Sequence, residues 1–241
     1  MTVDLVGGKT VQEGVATKKP SDLGVRALSA LVMVAVAGLA LWAGGLLFWM
    51  LCALVAGAVL VEYWSLVDKF ANSGSARFRW MALGIFYVGL AAIALAFFRL
   101  KEESGLEALM LICVVIATDV GAYFAGRSIG GPKLAPQISP NKTWAGLIGA
   151  MIAATIVWTG YNILTDGQSL RIALISGPLM AIVAQMGDLF ESWMKRRAGV
   201  KDSGTLIPGH GGVFDRVDGM LAVFFVIGLT HITFIWSYFA S

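Results

Sequence analysis

Apolar positions fall in long blocks along the chain, and short polar stretches separate them. Each block approaches the ~20 residues that a helix needs to cross ~30 Å of hydrocarbon. The pattern predicts seven spans: Val25–Ala43, Leu46–Val67, Trp80–Phe98, Leu106–Tyr123, Thr143–Leu164, Leu170–Met186 and Met220–Phe239. Gly44-Gly45 marks a tight turn between the first two, and Ser21-Asp22 after Pro20 supplies a helix cap. Residues 1–20 are polar, carry lysines and glycines, and have no apolar core, so they read as a flexible tail. No internal repeat interrupts the pattern. The expected fold is all-α: a polytopic integral membrane helical bundle of about seven transmembrane helices, forming one domain over residues 21–241.

Composition agrees with this reading. Charged residues make up 14% of the chain and hydrophobic ones 58%, whereas a soluble domain carries roughly a quarter charged residues. The net charge of +3 matters less than its distribution. Lys9, Lys18, Lys19 and Arg26 precede or open the first span; Lys69, Arg77 and Arg79 follow the second; Arg127, Lys133 and Lys142 follow the fourth; Lys195, Arg196, Arg197, Lys201 and Arg216 follow the sixth. Seven spans place all of these on one side. Arg99, Lys101 and Arg171 fall on the other, among Glu102, Glu103, Glu107 and Asp166. Basic residues collect on the cytoplasmic side, so the N-terminus is expected there and the C-terminus outside. No basic face is free of membrane, which argues against nucleic-acid binding. Cys52 and Cys113 lie inside apolar runs and read as packing residues.

Carboxylates at membrane depth cost on the order of 2.5–3.5 kcal/mol each. Glu62, Asp119, Asp188, Glu191, Asp215 and Asp218 all sit toward the expected cytoplasmic end of a span. Asp188, Glu191, Ser192 and Lys195 are spaced i, i+3, i+4 and i+7, which puts them on one face of a continued sixth helix. Asp215 and Asp218 are i, i+3 at the start of the seventh. Acids from two helices around one aqueous pocket suit a hard divalent cation such as Mg²⁺, which takes oxygen ligands. Interfacial anchoring is the competing reading, strongest for Glu62 and weakest for Asp188 and Asp215. His231, within the seventh span beside Thr230, reads as an interhelical hydrogen-bonder.

The most polar segment, Ser192–Asp218, reads SWMKRRAGVKDSGTLIPGHGGVFDRVD. Its Pro208-Gly209-His210-Gly211-Gly212 turn removes side chains and bares backbone amides, which lets an oxyanion approach. As a whole it carries the pattern S-x-x-K-R-x-x-x-x-K-D-x-G-x-x-I-P-x-H-G-G-x-x-D-R-x-D, on Ser192, Lys195, Arg196, Lys201, Asp202, Gly204, Ile207, Pro208, His210, Gly211, Gly212, Asp215, Arg216 and Asp218. This closely resembles the signature of the phosphatidate cytidylyltransferase (CDP-diacylglycerol synthase) family. Asp119–Pro136, Ser139–Gly146 and the lead-in from Gln185 to Ser192 resemble the same family. The first three spans match it only in general character. Ala145 stands where the family often has a polar or acidic residue.

The resemblance implies that CTP and phosphatidate give CDP-diacylglycerol and pyrophosphate, in phospholipid biosynthesis. It makes residues 21–241 one catalytic domain with 192–218 as its signature loop. Under it, Asp188, Asp215, Asp218, Lys201 and His210 carry catalysis. Asp188, Asp215, Asp218, Asp119 and Glu191 hold Mg²⁺, with a second cation left open. Ser139, Asn141, Lys142 and Thr143 form a phosphate-contacting start to the fifth helix, where free amides favour anions. Ser192, Lys195, Arg196, Gly211, Gly212 and Arg216 contact substrate. The expected partners are CTP, phosphatidate and membrane lipid, with a homodimer favoured by family analogy. The expected location is a bacterial cytoplasmic membrane, with the site facing the cytoplasm. The rival readings are a CTP-dependent lipid-alcohol kinase, a CDP-alcohol phosphotransferase and an ion-coupled transporter.

Overall fold

The computed structural model describes residues 22–101, 104–165, 167, 169–207 and 211–240. The tail expected over residues 1–20, the acids Glu102, Glu103 and Asp166, and His210 with Pro208 and Gly209 lie outside them. Seven helices run in order: α1 (Asp22–Ala43), α2 (Gly45–Phe70), α3 (Gly74–Lys101), α4 (Leu106–Ser128), α5 (Trp144–Leu164), α6 (Leu170–Arg197) and α7 (Phe214–Ala240). All seven are long and apolar enough to cross a membrane, so the chain is a polytopic helical membrane protein. Every expected span is present, but α3, α6 and α7 run several residues further into polar sequence at the end that carries the acids. The 28 residues of α6 reach about 42 Å at 1.5 Å per residue, beyond the hydrocarbon and into the signature stretch.

One element departs from an all-helical reading. Between α4 and α5, strand β1 (Lys133–Ala135) pairs antiparallel with β2 (Ser139–Thr143), with Lys133 opposite Thr143 and Ala135 opposite Ser139. Ser139, Asn141, Lys142 and Thr143 therefore form a strand and not the first turn of a helix. Pro140 disfavours a helical conformation for the residue before it, and α5 starts only after Thr143 caps it, accepting from Gly146 N at 3.0 Å.

The helices meet through small residues, as helices do in lipid, where burial of apolar surface drives little association. Gly121 of α4 faces Gly149 and Ala153 of α5 with no room for a side chain. The α4–α5, α5–α6, α6–α7, α3–α7 and α2–α3 pairs form the body of the bundle. Helix α1 stands apart. It touches mainly α2, and Leu41 is its one buried apolar residue among those described. Its C-terminal end is held by buried Arg99 of α3, whose Nε donates to Leu41 O at 2.6 Å and whose Nη2 donates to Trp42 O at 3.3 Å. These carbonyls have no partner within the helix, and the guanidinium supplies one.

Candidate active site

The acids gather at the end of the bundle opposite Arg99. Helix α6 carries Asp188 and Glu191 one turn apart, and α7 carries Asp215 and Asp218 in its opening turns. The two helices cross at Gly187. A Cβ there would lie 2.5 Å from Ala222 Cβ and 2.6 Å from Asp218 O, so only glycine lets the backbones come this close. As a result one carboxylate oxygen each from Asp188, Glu191 and Asp218 lies within 4.8 Å of the others. Asp218 Oδ1 also accepts from Gly219 N at 2.7 Å.

Two lysines complete the cluster. Lys142 reaches in from β2, where it pairs with Asp188 Oδ2 and donates to Gln185 Oε1 at 2.8 Å. Lys195, one turn beyond Glu191, lies 2.6 Å from Glu191 Oε2 and 2.7 Å from Asp215 Oδ1. The two lysines face four carboxylates of α6 and α7, leaving a formal excess of two negative charges. Glu191 is buried, and its Oε1 has no hydrogen-bond partner among the described residues. A buried carboxylate oxygen without a partner is costly. An all-oxygen donor set with excess negative charge is what a hard divalent cation requires. Ser192 Oγ donates to Asp188 Oδ1 at 3.3 Å and so braces the same carboxylate.

Asp215 has a different place from the one its spacing implies. Its Oδ2 accepts from Ser203 N at 2.9 Å, Ser203 Oγ at 3.0 Å and Gly212 N at 2.9 Å, while Oδ1 takes Lys195. It sits beside the three-acid cluster, bonded to the loop that joins α6 to α7. The described C-terminal end of the glycine turn is likewise bonded internally. Gly212 N serves Asp215, and the next two amides, Val213 N and Phe214 N, donate to Glu62 at 3.0 and 2.8 Å. Of the turn expected to bare its amides, Gly212 N is thus taken by a carboxylate, as are the two amides that follow it at the helix start, whereas Gly209 and His210 lie outside the described residues. Gly211, at φ +84°, accepts from Ile207 N at 2.9 Å and closes the loop tip.

The remaining candidates are spread around this centre. Asp119 of α4 is exposed and outside the cluster, within electrostatic range of Asp188, Asp218 and Lys142. Arg196 donates through Nε to Ile138 O at 3.2 Å, which ties the β-hairpin to α6. Lys201 and Arg216 are exposed. Trp144 N donates to Pro132 O and Gly146 N to Thr143, so two of the opening amides of α5 are already taken. Glu62 had only its isolation in the run VLVEYW as a signal. It is buried on α2 and accepts from Ser203 Oγ, Val213 N and Phe214 N. Ser203 had no signal at all.

Residues 70–234, more than half of the chain, match the cytidylyltransferase family. The chain belongs to that family. Among curated proteins, the phosphatidate cytidylyltransferase of Brucella melitensis is 47% identical over 154 residues, covering 59% of this chain and 53% of that protein. The phosphatidate cytidylyltransferase of Rickettsia bellii is 34% identical over 223 residues, covering 88% of this chain and 94% of its own length. That of Bacillus subtilis is 38% identical over 173 residues, covering 71% and 64%. The chain thus spans about half the length of the Brucella protein and nearly all of the Rickettsia one. The matched family segment contains every acid and lysine of the cluster.

Proposed function

We propose that the chain transfers the cytidylyl group of CTP to phosphatidate, giving CDP-diacylglycerol and pyrophosphate. The observation that carries this reading is the convergence of Asp188, Glu191 and Asp218 within 4.8 Å, bordered by two lysines, in a chain of this family. Three relatives named for this activity add support.

Both reactants are polyanions, and an acidic site repels them until its charge is offset. Asp188, Glu191 and Asp218 would hold Mg²⁺, the stray Oε1 of Glu191 being the donor most in need of it. When bound, the metal neutralises triphosphate charge and polarises phosphoryl oxygens. Lys142 and Lys195, which border the same carboxylates, would contact phosphate oxygens of the two substrates. A phosphate oxygen of phosphatidate forms a bond to the α-phosphorus of CTP, the bond from that phosphorus to the bridging oxygen breaks, and pyrophosphate carries away the electron pair. No covalent enzyme intermediate is needed, because a phosphate monoester is already a nucleophile. Positioning supplies much of the rate.

The positive-inside asymmetry supports a cytoplasmic location for this end of the bundle, where CTP is found. By analogy with the bacterial relatives, the membrane is the bacterial cytoplasmic one. The test is purified protein in detergent with phosphatidate, Mg²⁺ and CTP labelled at either the α- or the γ-phosphate. Label from the α-position entering lipid, with γ-label in pyrophosphate, is expected. Transfer of γ-label to lipid identifies a CTP-dependent lipid kinase instead.

A further inference from the structure

Below the acid cluster lies a cavity of about 200 Å³ whose wall is wholly apolar. Five helices line it: α1 at Ala37, α2 from Phe48 to Ala56, α3 at Ala91, Ala92 and Leu95, α4 at Ile112, and α7 from Val217 to Phe224. The space exists because alanines stand at positions 37, 56, 91 and 92, where larger side chains would fill it. An apolar void of about 150 Å³ admits a benzene ring, so this one has room for a segment of hydrocarbon.

Its relation to the cluster decides the occupant. Val217, Met220, Leu221 and Phe224 are spaced i, i+3, i+4 and i+7, so they form one face of α7. Asp218 borders that face, next in sequence to Val217 and one turn before Leu221. One turn of helix therefore carries both a member of the acid cluster and a wall of the cavity. Helix α7 runs from the cluster into the membrane, so the cavity lies deeper than Asp218. A lipid whose phosphate meets the cluster must send its chains in this direction.

We infer that the cavity receives one acyl chain of the lipid substrate, and that Ala56, Ala91 and Ala92 set the chain length accepted. Helix α1 forms the side through which the chain arrives. It lends a single residue, Ala37, to the wall, is fixed to the bundle at its far end by Arg99, and buries little elsewhere. This inference rests on the proposed lipid substrate.

The experiment compares wild type with Ala56→Phe and Ala92→Phe, both at partly buried wall positions. Turnover is measured with dihexanoyl and dioleoyl phosphatidate. Filling the cavity is expected to cut dioleoyl turnover at least tenfold while dihexanoyl turnover stays within twofold. An unchanged dioleoyl-to-dihexanoyl ratio overturns the slot but leaves the activity standing. Absence of product from either lipid in wild type overturns the activity itself. A second measurement needs no variant and no CTP. Phosphatidate with a diazirine at the tail is photolysed in the wild-type protein and the adducts are mapped. Adducts on Leu51–Ala56, Ala91–Leu95 or Val217–Phe224 support the slot. Adducts confined to outward residues such as Leu54, Val61 and Ile93 overturn it, and within the α2 and α3 stretches only wall residues count as support.

Discussion

Glu62 and Ser203 stand 141 positions apart and share a hydrogen bond of 2.9 Å. The same Ser203 Oγ lies 3.0 Å from Asp215 Oδ2, so a single hydroxyl bridges two carboxylates. Through it, a buried acid on α2 fixes the loop that ends at Asp215, and Asp215 in turn fixes Lys195 beside Glu191.

Replacing Glu62 tests that chain of contacts. In Glu62→Gln, either orientation of the amide sets an NH₂ against a backbone N–H of Val213 or Phe214. Each stranded donor costs about 1–3 kcal/mol. The variant is expected to melt earlier in detergent and to lose activity, although Glu62 lies outside the cluster. A normal melting temperature with normal turnover contradicts the role given to Glu62.

Asp188 and Asp215 should separate in mutation. Asp188→Asn removes charge from the cluster and leaves the α6–α7 loop intact, so activity is lost at near-normal thermal stability. Asp215→Asn also disturbs Lys195, Ser203 and Gly212, so both activity and stability fall. Thermal melts alongside turnover assays distinguish the two.

Gly187 sets the distance between the acids of α6 and α7. Gly187→Val places methyl groups against Ala222 and the backbone of Asp218, forcing the helices apart. Overpacking costs typically about 1–3 kcal/mol. Turnover should fall far more than the melting temperature suggests, because the cluster is displaced. Ala222→Gly in the same chain relieves only the side-chain contact and is expected to restore little of the activity.

Lys142 is held between Asp188 and Gln185. Lys142→Met keeps its length without its charge. A loss of about 10²-fold in kcat/KM is expected, in line with removal of one transition-state donor. A loss confined to KM for CTP would place Lys142 in binding alone.

The seven spans were legible because each is an unbroken apolar run of membrane length. Their polar ends are not apolar enough to show in hydropathy: from Gly187 to Arg197 only the i, i+3, i+4, i+7 spacing of Asp188, Glu191, Ser192 and Lys195 extends the sixth helix, and the structure keeps it helical to Arg197. The i, i+3 spacing of Asp188 and Glu191 correctly put them on one face. The same rule paired Asp215 with Asp218, but Asp215 is drawn to Ser203 and Gly212, a contact that depends on how the loop folds back. The hairpin at Ser139–Thr143 has no apolar alternation to announce it, being mostly polar with Pro140 inside. Glu62 was visible as a lone acid in an apolar run, but its partners lie on the far side of the sequence.

The central claim is that Asp188, Glu191 and Asp218 form the metal-dependent centre. Its most direct test is Mn²⁺ binding, followed by electron paramagnetic resonance, in wild type and in Asp188→Asn and Asp218→Asn, each checked for an unchanged melting temperature. Saturable binding in wild type, weakened at least tenfold in each variant and competed by Mg²⁺, is expected. Equal Mn²⁺ affinity in all three proteins would contradict the account.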